Sequence, residues 1–103
     1  MDRDHLERAL WAAAERRAAM HGVRLGQGAD NDIRQFARTG ADRIVGSDGE
    51  AVKASEAAFE KLIDEMVSVA SEIPGYREAH PDTIGEDTLR WALSRLCPLF
   101  PIC

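Results

Sequence analysis

Between Glu50 and Ile73 the apolar residues Val52, Phe59, Leu62, Ile63, Met66, Val69, Ala70 and Ile73 fall on one arc when each residue is turned by 100°. Only an α-helix places them on a single face, because a strand of this length would need strict alternation. Ser47-Asp-Gly-Glu50 in front reads as a capping box, and Pro74-Gly75 behind reads as a stop. The spacing therefore predicts a helix over 50–73, about 35 Å long at 1.5 Å per residue. A rod of that length with one apolar face must be covered by the rest of the chain, which makes it the expected central element.

Three further segments carry helical periodicity and none carries the alternation of a strand, so the expected fold class is all-α, a single-domain four-helix bundle. The first helix is predicted over 4–21, with Asp4 and Glu7 as its capping box and Gly22 as its stop. Its inner stripe is Leu6, Leu10, Ala13 and Met20, and Trp11, beside Ala14 and Ala18, widens it. The second is predicted over 31–45, capped by Asp30 or Asn31, with Ile33, Phe36, Ala37, Gly40, Ala41 and Ile44 inward. Gly40 costs about 1 kcal/mol relative to Ala in a helix, which a close crossing against the Ala-rich first helix would offset. The glycine-rich stretch 22–28 reads as a connector, since it lacks the strand and the Lys-Ser/Thr pair of a phosphate loop. The last helix is predicted over 83–97 behind Asp82 or Thr83, and Pro98 ends it. No internal repeat is visible.

At 103 residues the chain can enclose one core without a metal or disulfide staple. The net charge of −5 is concentrated in residues 47–76, which hold seven acids and two lysines. That distribution disfavours nucleic acid as a partner, because phosphate binding rests on clustered cations. No apolar run is long enough for a membrane span and the N-terminus is charged, so the chain reads as cytoplasmic and without a membrane partner. Eleven arginines against two lysines, with abundant alanine, point to a bacterial gene.

Motifs for chemistry are sparse. His5, His21 and His80 form no i, i+4 pair, and Cys97 and Cys103 lack zinc-site spacing, so neither a metal nor a cofactor is expected. A disulfide between those cysteines is an alternative to two reduced thiols, which a cytoplasmic address favours. No set of carboxylates suited to Mg²⁺ is present, and catalysis is not expected. Glu56 falls inside the apolar arc of the third helix, where burial would raise its pKa unless Arg17 or Arg34 paired with it; this gives one alternative reading, a small-molecule binder or enzyme. Arg16, Arg17, Arg24, Arg34 and Arg38 can gather into a basic patch across the first two helices, and the last helix has the outline of a DNA-reading helix. A DNA-associated regulator is thus a second alternative, weakened by three acids against two arginines over Asp82–Leu96.

The leading expectation comes from the C-terminal end. Leu89, Leu93 and Leu96 define an inward stripe that leaves Trp91 on the polar side, and the tail 98–103 adds Leu99, Phe100 and Ile102 in an uncharged, extended strip. A large aromatic on a polar face and a strip between two prolines exceed what one small bundle hides. Trp91, Leu99, Phe100 and Ile102 are accordingly the expected contact residues of an interaction module that binds a protein partner or a second copy of itself.

Overall fold

Asp2 starts the first helix: its carboxylate accepts the His5 amide at 2.9 Å, and α1 runs over Arg3–Met20 in the computed structural model, which describes residues 2–96. The helix stops in a Schellman turn at Gly22, whose φ of 72° suits a residue without a side chain. There the Gly22 amide donates to Ala19 and the Val23 amide to Ala18, both at 3.0 Å, while the Val23 side chain is buried. Asp48 likewise caps α3 (Gly49–Glu72) by accepting the Ala51 amide at 3.0 Å. The cap falls on Asp48 rather than on Ser47, one residue from the sequence-based boundary.

The fold is all-α. The remaining elements are β1 (Arg24–Leu25), α2 (Gln27–Ile44), the one-turn α4 (Tyr76–Ala79), β2 (Thr83–Ile84) and α5 (Glu86–Leu96). Helix α1 packs against α2 on one side and α3 on the other, and α3 packs in turn against α5. The long rod therefore shares the central place with α1 instead of holding it alone. Phe59, Leu62, Ile63 and Met66 of α3 meet Leu10 of α1, Ile33 of α2 and Leu89 of α5 in one core, all buried. Each such side chain contributes about 1.5–3 kcal/mol relative to exposure. Towards α2 the buried residues of α1 are small, including Ala14 and Ala18, and Ala37, Gly40 and Ala41 are buried on α2. Met20, expected on the inner stripe, is instead 75% exposed: the buried arc of α1 runs from Ala13 through Leu6 and Leu10 to Ala14 and Ala18, and Met20 falls just outside its edge.

Two short strands appear where the sequence predicts loop and helix. They pair in parallel, Arg24 with Thr83 and Leu25 with Ile84. The Arg24 amide donates to Asp82 at 2.7 Å and the Gly26 amide to Ile84 at 2.8 Å. Two residues are too few to show alternation, which hides such a bridge from periodicity. Each strand runs through one glycine, Gly26 or Gly85, straight into a helix, so α2 and α5 start side by side. Extending the strand register into the helices aligns the buried residues Ala29, Ile33 and Ala37 of α2 with Thr88, Ala92 and Leu96 of α5. The two units therefore share the order strand, glycine, helix. A Cβ on Gly26 would lie 3.2 Å from the Ile84 carbonyl, so the close approach of the strands selects glycine there. The Tyr76 hydroxyl secures the second unit by accepting the Gly85 amide at 2.8 Å.

This joint moves two helix starts. Helix α2 begins at Gln27, not near residue 31, because the strand delivers the chain to Gly26 already aimed along the helix and Asp30 is engaged elsewhere. Helix α5 begins at Glu86, not 83, because Thr83 and Ile84 belong to the bridge.

Candidate functional site

Helix α5 turns Thr88, Leu89, Ala92 and Leu96 inward, with Leu93 at the edge of the core. Trp91 lies on the opposite side and is 53% exposed. Its indole makes no hydrogen bond or ring contact among the described residues. Asp87, Arg90, Ser94 and Arg95 surround it on the exposed face. Arg95 is held against α3 by Glu72 at 2.6 Å and Glu65 at 3.5 Å, and its hydrogen bonds hold the Glu72 carboxyl below the usual range. The polar frame around the indole is therefore anchored while the ring itself is not. Leu99, Phe100 and Ile102, the other expected contacts, lie outside the described residues, as do Cys97 and Cys103.

Glu56, read from the sequence as a desolvated acid, is only half-buried and has no hydrogen bond or ion pair among the described residues. Neither proposed arginine reaches it. Arg17 instead makes a two-point contact with Asp64, at 2.8 and 3.0 Å, and His21 adds a third contact at 2.7 Å. The Arg17 hydrogen bonds, reinforced by His21 against the burial penalty, hold the Asp64 carboxyl below its ordinary value. Arg34 goes to Asp30.

The five arginines do not form one patch. Arg16 and Arg17 border a groove between α1 and α3 with Met20 and Glu60, and Arg24 pairs with Asp82 at 3.2 Å beside the strand bridge. Arg34 and Arg38 stand on α2 facing α1. The predicted patch fails because the register of the α1–α2 packing, which no single sequence states, separates residues that helical wheels allow to meet.

Arg34 and Arg38 belong to a different constellation. They and Gln35 line an open cleft of about 360 Å³ with Glu7, Arg8 and Trp11 of α1. The Trp11 indole Nε1–H donates to Asp30 Oδ1 at 3.0 Å, the Arg34 Nε lies 3.2 Å from Asp30 Oδ2, and the Arg34 guanidinium carbon sits 4.3 Å from the Trp11 ring centroid. Arg38 Nε donates to Glu7 Oε1 at 2.9 Å. Burial, then the hydrogen bond and the negative charge shared with Asp30, push the Glu15 carboxyl above its ordinary range, with Arg34 opposing. Sequence reasoning named two of these arginines but missed Arg8, Gln35 and the partnership of Trp11 with Asp30. The only available signal was the polar tip of a half-buried tryptophan, which requires a hydrogen-bond acceptor.

Where α2 and α5 start together, the Glu86 side chain fills the space that a Cβ on Gly28 would need. That notch is occupied by the protein's own carboxylate. Among the described residues no group of three His, Cys, Asp or Glu is placed to hold a metal ion, and no helix is long and apolar enough to cross a membrane. No protein-family model, curated protein or solved structure matches the chain.

Proposed function

We propose that the chain is a four-helix bundle that works as a non-catalytic interaction module, binding a protein partner through α5, with a second copy of itself as the first candidate. The exposed indole of Trp91 carries this reading. Tryptophan leaves a large apolar area in water at such exposure, and it is among the residues most enriched at the energetic centres of protein interfaces. Around it lies a polar rim whose arginine is already fixed by Glu72 and Glu65, so little side-chain freedom is lost when a partner arrives. Leu99, Phe100 and Ile102, a few residues beyond α5 in the sequence, are further contact residues in this proposal.

The arginines of a DNA-contact reading are spread over three places and four of the five are paired with acids. Glu56 makes no hydrogen bond or ion pair among the described residues. Neither alternative is favoured by a specific contact.

Light scattering over a concentration series tests the reading. The wild type should gain mass with concentration, whereas Trp91→Ala should stay monomeric with an unchanged melting temperature, since an exposed side chain changes stability by about 0.5 kcal/mol or less. A wild type that remains monomeric throughout removes the second copy as the partner.

A further inference from the structure

The cleft between α1 and α2 concentrates positive charge on a protein whose net charge is −5. Its lining holds three arginines, Arg8, Arg34 and Arg38, with Glu7 beside Arg38, while Asp30 pairs with Arg34 from outside the lining. Two of the guanidiniums are already oriented. Glu7 holds Arg38 through Nε, and Asp30 holds Arg34 through Nε while the Trp11 ring supports its face. In both cases the acid engages the Nε edge, and the terminal N–H groups make no hydrogen bond among the described residues. Arg8, exposed on α1, has no ion pair or hydrogen bond among the described residues. Such preset N–H forks match the paired oxygens of a phosphate, and holding them in advance removes much of the ordering cost of binding.

We propose that the cleft binds a phosphate dianion carried on a small molecule, with Arg8, Arg34 and Arg38 as its donors and Gln35 as a neutral hydrogen-bonding partner at the rim. Glu7 is set against Arg38 and Asp30 against Arg34, which leaves Arg8 as the guanidinium of the lining without an acid partner among the described residues; the three oxygens of a phosphate can engage all three guanidiniums, which the two of a carboxylate cannot. The cleft volume of about 360 Å³ leaves room for a phosphate and a short carbon body alongside the indole. Trp11 acts here as a positioning residue: its N–H fixes Asp30, and Asp30 fixes Arg34.

The test is a titration of the full chain with pyrophosphate at low ionic strength, followed by the NMR signals of the Trp11 indole N–H and the arginine Nε–H groups. Saturable shifts at Trp11, Arg34 and Arg38 in the millimolar range or tighter are expected. Arg8→Gln, which removes no internal contact, should weaken binding roughly tenfold, the lower end of the effect of losing a charged hydrogen bond. Arg24→Gln, outside the cleft, should leave binding unchanged. Absence of saturation, indifference to Arg8→Gln, or equal loss with Arg24→Gln overturns the proposal. A phosphoserine peptide, its unphosphorylated form and a short DNA duplex complete the series. Tighter binding of the phosphopeptide than of pyrophosphate assigns the phosphate to a protein, and tighter binding of the duplex assigns it to nucleic acid. Either overturns the small-molecule source.

Discussion

Glu15→Gln should make the protein more stable at neutral pH. The wild-type carboxyl is pushed up by partial burial and by Asp30, so at neutral pH folding holds two carboxylates together, with Arg34 offsetting part of the repulsion. The sign follows from the raised folded pKa: the contribution of Glu15 is most favourable in acid, where the protonated group donates to Asp30, and is lost as pH rises through the folded value. A glutamine amide keeps that donor at every pH. The gain is one hydrogen bond to a charged acceptor in a partly solvated place. This sets it at about 0.5–1 kcal/mol, towards the low end for such bonds. In a domain of this size about 1 kcal/mol moves the melting temperature by roughly 4–8 °C. Urea unfolding followed by circular dichroism from acid to neutral pH measures the difference directly. The variant should match the wild type in acid and exceed it progressively towards neutral pH. A variant less stable at neutral pH, or a difference independent of pH, would refute the reasoning about this carboxyl pair.

Two further outcomes follow from the fold. Tyr76→Phe strips the Gly85 amide of its partly buried acceptor, and thermal unfolding should show a loss of about 1 kcal/mol with faster amide exchange at Gly85; unchanged exchange would mean the strand–helix joint is held by other contacts. Leu10→Ala should cost about 2–5 kcal/mol in urea unfolding, whereas Met20→Ala, at an exposed position, should change stability by about 0.5 kcal/mol or less. A large effect at Met20 would restore it to the core.

Much of the helical framework is legible in the residues. Gly22 and Gly75, both read as stops, have positive φ, and the α3 face from Phe59 to Ala70 is buried. These signals are local, set by backbone sterics and by the 3.6-residue period. What escaped the sequence depends on contacts between distant segments. Asp30 has the chemistry of a helix cap, but in the fold its two oxygens serve Trp11 and Arg34, and the α2 start shifts accordingly. Thr83 has the same cap chemistry, and pairing with Arg24 turns it into a strand residue. Periodicity placed Glu56 inside the apolar arc, yet near the start of α3 the described residues cover that arc only in part, and Val52 is half-buried there. The arginine cluster failed for the same reason, since helical wheels give the angle of a residue on its own helix and not the sliding register between two helices.

The proposed function depends most directly on whether α5 meets another protein chain at Trp91. A photo-crosslinking amino acid placed at position 91, with the same residue at the exposed Lys53 on α3 as control, reports this in cells producing the protein. A discrete protein adduct from position 91 and none from position 53 is the predicted result. No adduct from position 91, or equal labelling from both positions, would contradict α5 as the docking surface.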